Sequence, residues 1–113
     1  MISVEIQVVC RAIILDNQNR VLLGKRARGN GVGQWALVGG RPEGVETPEQ
    51  TIVREVKEEL GINFIPQFFK EYLNTTADVV PWQVIVFSGY FTGSVVPKVD
   101  EVSDVVFVTP ALR

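Results

Sequence analysis

Apolar and polar positions fall along this chain in short blocks that predict several strands and one helix. Residues 4–15 are rich in Val and Ile and read as a strand. Asp16-Asn17-Gln18-Asn19 is a turn by composition, and residues 20–25 read as a second strand, so the two are expected to pair as a hairpin. Residues 27–34 carry three glycines and no apolar period, which predicts a mobile loop. Trp35-Ala36-Leu37-Val38 is a short apolar run that closes on Gly39-Gly40. Residues 64–73 and 83–92 read as further strands joined by a polar loop at 74–82, and residues 105–108 as a last short strand.

The helix begins at Thr47. Thr47-Pro48-Glu49-Gln50 offers an N-cap hydroxyl, a proline at the first helical position and a glutamine at the capping-box position. Ile52, Val53, Val56 and Leu60 form an apolar stripe, and Gly61 supplies the stop. Strands on either side of one helix predict an α/β or α+β domain, a mixed sheet with the helix on one face.

Composition narrows the chemistry. The chain has 113 residues, 46% of them apolar, enough for one domain spanning 1–113 and too few for two. A net charge of −2 argues against an electrostatic nucleic-acid binder. There is no histidine, which removes imidazole as base, nucleophile or metal ligand. The single cysteine, Cys10, rules out an internal disulfide and reads as a small core residue. Chemistry is left to carboxylates, Arg and Lys, hydroxyls, the backbone or a bound metal. No leader pattern and no stretch of bilayer length are visible, so a cytoplasmic protein without membrane contact is the expectation.

Charge is segregated. Six of the 13 acids lie between positions 43 and 59, and Lys25, Arg26, Arg28 and Arg41 lie just upstream. Glu55, Glu58 and Glu59 fall at i, i+3 and i+4 of the helix, within an arc of about 100°. For stability alone this is a poor choice. Glu55 and Glu59 repel, and Glu58 and Glu59 sit at the negative end of the helix dipole. Arg54 offsets part of this by reaching Glu58. A solvated acidic face is the plain alternative. A divalent cation would remove the repulsion, since clustered carboxylates are hard oxygen ligands suited to Mg²⁺ or Mn²⁺. Gly39-Gly40 lets the backbone approach a ligand, and the upstream cations suit a polyphosphate.

The segment from Gly40 through Glu46 to Arg54-Glu55-Val56-Lys57-Glu58-Glu59-Leu60-Gly61-Ile62 resembles the Nudix box, G-x5-E-x7-R-E-U-x-E-E-x-G-U with U aliphatic. All nine constrained positions are met, a chance agreement on the order of 10⁻⁹ at one start. The chain looks most like the small MutT-type members, with Val38 where proline is common before the two glycines. The resemblance implies an α/β/α sandwich around a mixed sheet. It implies hydrolysis of a nucleoside diphosphate linked to another group, with Mg²⁺ or Mn²⁺. Carried over by position, Glu55, Glu58 and Glu59 would bind metal with the Gly40 carbonyl. Arg54 would orient the carboxylates, and Glu46 would brace Arg54. Some members use a further acid before the last strand, which here is Glu101.

For the substrate, Lys25, Arg26, Arg28 and Arg41 are the candidate phosphate contacts. Trp35, Phe68, Phe69 and Phe87 read mostly as core, and Trp82 as the aromatic that stacks on a base. Ala77-Asp78-Val79-Val80 lacks the proline and tyrosine marks of the ADP-ribose and diadenosine polyphosphate groups. By elimination the expected substrate is a (deoxy)nucleoside triphosphate, cleaved to a monophosphate and pyrophosphate. An ADP-ribose or nucleotide-sugar pyrophosphatase and a non-catalytic nucleotide-binding module are the alternatives. The fold implied by the resemblance ends in a helix, and Thr109-Pro110-Ala111-Leu112 offers only its start. A short chain, a partial sequence or a homodimer covering that face are the three expectations.

Overall fold

The structure is a computed structural model that describes residues 6–74 and 81–110. Strand β1 (Gln7–Ile14) shows why a mixed sheet forms. Cys10, Ala12 and Ile14 are fully buried toward the helix, while Val9 packs on the opposite face with Val84 and Val86. A strand apolar on both faces belongs in the middle of a sheet. Accordingly β1 lies between β4 (Val38–Gly40), antiparallel to it, and β7 (Trp82–Gly89), parallel to it. Strand β6 (Gln67–Asn74) closes the far edge, giving the order β4-β1-β7-β6.

The expected β1–β2 hairpin does not form. The turn does: the Asp16 carboxylate accepts from the Gln18 and Arg20 amides at 2.9 and 2.8 Å, and Asn19 takes a left-handed φ of 57°. Beyond a single bridge between Leu15 and Val21 the strands part. Both hydrogen-bonding edges of β1 are already taken by β4 and β7. Strand β2 (Val21–Arg26) therefore enters a second antiparallel sheet between β3 (Trp35–Ala36) and β9 (Val102–Val108). The run 35–38 changes sheets at Leu37, and β9 starts three residues before the expected strand at 105–108.

Two other expected strands are divided. Pro66 lacks an amide hydrogen, so β5 (Asn63–Phe64) ends before it and β6 begins after it. The stretch 83–92 breaks at Tyr90 into β7 and β8 (Phe91–Thr92), the latter pairing with β5. Phe87 is core, but Trp35, Phe68 and Phe69 are exposed, contrary to their expected burial. Among the described residues β6 pairs with β7 alone, which leaves its aromatics at the sheet edge.

The helix α1 (Pro48–Leu60) follows the sequence pattern. The Thr47 hydroxyl accepts from the Gln50 amide at 3.2 Å, and the Gln50 side chain accepts from the Thr47 amide at 2.9 Å. Gly61 ends it in the left-handed region, φ 74°. The Leu60 and Glu59 carbonyls, left over at the C-terminus, accept from the Val96 and Lys98 amides at 2.8 Å each. The buried face is Ile52, Val56 and Leu60 with Thr51 and Glu59; Val53 is exposed, so the stripe is narrower than expected. α1 is the one helix among the described residues, and none there is long and apolar enough to cross a membrane. The chain's first residues, most of the 74–82 loop (including 77–80) and the Ala111-Leu112 helix start lie outside the described residues.

The two neighbours Ile52 and Val53 test this packing. Ile52→Ala should cost about 2–5 kcal/mol in urea unfolding, and Val53→Ala under about 1 kcal/mol. Equal losses would mean that the helix presents a different face.

Candidate active site

The acidic segment folds around one guanidinium. Arg54, in the middle of α1, donates from Nε and Nη2 to the two Glu46 oxygens at 2.7 and 2.9 Å. Its Nη1 reaches Glu55 at 2.8 Å and Glu58 at 3.2 Å, and Nη2 also meets the Arg41 carbonyl at 3.1 Å. The fork ties the loop before the helix to the helix itself. Glu46 in turn accepts from the Glu43 amide at 2.9 Å and the Thr51 hydroxyl at 3.2 Å. These bonds, the Arg54 fork above all, hold the Glu46 carboxyl down at about 2. The Arg54 guanidinium is correspondingly raised, chiefly by Glu46.

Glu55 and Glu59 sit differently. Burial is the first cause that raises both carboxyls, and for Glu59 the charges of Glu55 and Glu101 add to it. Glu59 is 9% exposed, and its Oε2 is buried with no hydrogen-bond partner. A buried carboxylate oxygen without a donor carries the full cost of its lost hydration. Glu55 lies against the Gly40 backbone, where a Cβ would overlap its carboxyl. Glu58 is more than half exposed and turned to Arg54. Among the described residues no three acids converge as a ready ligand set. The unpartnered Glu59 oxygen and the Gly40 cradle for Glu55 nonetheless fit a hard cation, for which Glu55, Glu58, Glu59 and the Gly40 carbonyl are the available donors.

Glu101, just before β9, lines a cavity of about 300 Å³ together with Glu59, Arg11, Arg26 and Arg28. Arg28 pairs with Glu101 at 2.6 Å. A second cavity of about 470 Å³ is lined by Arg11, Arg26, Arg41, Tyr72, Asn74 and Trp82 among others. Arg41 lies over the Trp82 ring, 5.3 Å from its centroid, and its guanidinium donates to Gln7. Arg26 is fixed by the glycine loop, with Nε donating to the Asn30 carbonyl at 2.8 Å. Lys25 lies over Trp35 at 6.0 Å and lines neither cavity. Sequence reasoning passed over Arg11, Tyr72 and Asn74. A lone charge inside the apolar run 8–15 was the available signal for Arg11; strand pairing brings in the other two. Cys10 is buried as expected, its thiol pushed up to about 11 by burial.

A NUDIX domain family model matches residues 6–112. The nucleoside triphosphatase NudI of Enterobacter sp. (strain 638) is 45% identical over 71 residues, covering 61% of this chain and 43% of that protein. The CTP pyrophosphohydrolase of Escherichia coli (strain K12) is 32% identical over 84 residues, covering 69% and 62%. An 8-oxo-dGTP diphosphatase of Proteus vulgaris is 38% identical over 56 residues, covering 49% and 50%. The chain thus spans less than two thirds of the length of these relatives. Among solved structures, a MutT NUDIX hydrolase from Burkholderia pseudomallei superposes with a TM-score of 0.81 at 28% identity, covering 92% of this chain and 83% of that one. A MutT protein from Methanosarcina mazei Go1 gives 0.81 at 25% identity, covering 96% and 80%. The fold is the Nudix α/β sandwich built on a mixed sheet.

The Arg54–Glu46 fork sets an acid limit on stability. Glu46 ionises more easily folded than unfolded, where its ordinary value is 4.5. Its contribution is therefore complete above that value and lost as pH falls toward about 2. Glu46→Gln should lower the urea midpoint at pH 6, and the gap from the wild type should close between pH 4.5 and 2. A gap that persists at the acid end would disprove the pairing.

Proposed function

The chain belongs to the Nudix family, and we propose that it is a metal-dependent pyrophosphohydrolase that converts a (deoxy)nucleoside triphosphate to a monophosphate and pyrophosphate. The observation that carries this reading is the unpartnered, buried Glu59 oxygen beside Glu55 at the Gly40 backbone. That arrangement costs stability in the protein alone and gains a purpose when a cation is bound. The nucleotide class rests on the named activities of the relatives and on the cations that line the adjoining cavities.

Glu55, Glu58, Glu59 and the Gly40 carbonyl would hold Mg²⁺ or Mn²⁺. When bound, the metal neutralises developing charge on the phosphates and acidifies water. Arg54 orients Glu55 and Glu58, and Glu46 fixes Arg54. Arg26, Arg28 and Arg41 meet the phosphate oxygens as multidentate donors. Lys25, stacked on Trp35, stands outside this group. Trp82 packs against the base. A water attacks one phosphorus in line, the anhydride P–O bond breaks, and pyrophosphate leaves. A carboxylate of this set takes the water's proton, with Glu101 the accessory acid held ready by Arg28.

Incubation with a nucleotide panel and Mg²⁺ tests the reading. Release of pyrophosphate from a triphosphate is expected. AMP and a sugar phosphate from ADP-ribose, with triphosphates untouched, would reassign the substrate; binding without turnover would make this a nucleotide-binding module. Glu59→Gln should cut turnover by at least about 100-fold. In EDTA the same variant should melt no lower than the wild type, because a neutral amide replaces a buried acid whose ionisation burial, Glu55 and Glu101 all oppose. It should also lose the rise in melting temperature that Mg²⁺ gives the wild type. A Mg²⁺ response undiminished in Glu59→Gln would reject the metal assignment.

A further inference from the structure

Arg11 stands in the middle of β1, on the face turned away from α1, in an apolar neighbourhood with Val9 and Ile13. Its guanidinium is half-buried and lines both cavities. Among the described residues no carboxylate or carbonyl lies within hydrogen-bond or ion-pair distance of it, so it is available to an anionic ligand. Arg20, Arg28 and Arg54, by contrast, are each bonded to an acid. Burial, and then the charge of Arg26, make Arg11 give up its proton more readily than usual, and Glu59 acts the other way. Arg26 cannot simply swing away, because its Nε is bonded to the Asn30 carbonyl. Two guanidiniums thus face one space.

The register shows where that space lies. Arg11 is opposite Gly39 in the β1–β4 pair, and a side chain at Gly39 would collide with the Cys10 carbonyl. Arg11, Arg26 and Gly39 are the residues common to both cavities. On one side stand Glu59 and Glu101; on the other, Trp82 and Tyr72. One end is thus acidic, suited to a metal-bound phosphate, and the other aromatic, suited to a flat base. A molecule filling both must pass Arg11 with the group that joins its two ends.

We propose that Arg11, with Arg26, is the receptor for the phosphoryl group that links the nucleoside to the rest of the substrate, and so selects 5′-phosphorylated nucleosides. This rests on the nucleotide reading above. The guanidinium fork matches a phosphate with two parallel hydrogen bonds, which a lysine at this position cannot reproduce. A competing role is that of a mere counter-charge for Glu59. That role would alter the response to Mg²⁺ and leave nucleotides and nucleosides undistinguished.

The test is binding in EDTA, which keeps metal out of the contact. Nucleoside 5′-monophosphates bearing each common base, and the matching nucleosides, are titrated by tryptophan fluorescence and calorimetry. The wild type should bind at least one monophosphate about tenfold or more tighter than its nucleoside. Arg11→Met should erase that difference and leave nucleoside affinity within twofold, and Arg11→Lys should recover only part of it. In the wild type itself, the Arg11 Hε resonance should shift with the monophosphate and stay still with the nucleoside, a readout independent of whether a variant folds. Undiminished monophosphate affinity in Arg11→Met, no preference for the monophosphate in the wild type, or an unmoved Arg11 resonance would each overturn the proposal. If triphosphates are still hydrolysed in that case, the nucleotide reading stands and this inference alone fails.

Discussion

The site depends on the shared guanidinium of Arg54. Five donors are distributed over Glu46, Glu55, Glu58 and the Arg41 carbonyl, with Glu43 3.7 Å away. This fork joins the loop that leaves β4 to the helix that follows. It therefore sets Gly40, Glu55 and Glu58 relative to one another. Glu46 takes the bidentate end and is itself tied to Thr51, which is buried under the same helix face. Lysine could supply the charge but not the fork, since a point charge cannot hold three carboxylates and a carbonyl in fixed directions.

One positive charge does not neutralise four carboxylates. Those nearest Arg54 are satisfied, and the deficit collects at Glu59, one turn beyond Glu55 and close to the dipole's negative end. Hydrophobic anchoring by Ile52, Val56 and Leu60, good caps at both ends, and the Val96 and Lys98 amides keep the helix formed despite this. The strain in charge is confined to the wall of a cavity, where a ligand can relieve it. A helix chosen for stability alone would place those acids at its first turn and on its outer face.

What was legible in the chain was what is local. Thr47, Pro48, Gln50 and Gly61 are read within a few residues of the bonds they make, and the helix ends where they say. The nine spaced residues of the box likewise lie on one continuous stretch, from the end of β4 through the loop and α1 to Ile62. Long-range choices were not legible. The turn at residues 16–19 resembles that of a hairpin, yet β1 and β2 enter different sheets, because β1 is claimed on both edges by strands distant in sequence. Phe68 and Phe69 look like core residues by type, but β6 is an edge strand. Arg11 is visible in the sequence as a lone charge among apolar residues. Only the pairing with β4 shows that it stands where two cavities meet.

Arg54 orients Glu55 at the Gly40 backbone, and a divalent cation would complete Glu55 together with the neighbouring Glu59. The most direct test is paramagnetic broadening by substoichiometric Mn²⁺ in amide and side-chain NMR spectra. Signals of Gly40, Glu55 and Glu59 should vanish first and return on adding excess Mg²⁺. Broadening centred elsewhere, or spread evenly over the surface acids with these three unaffected, would contradict it.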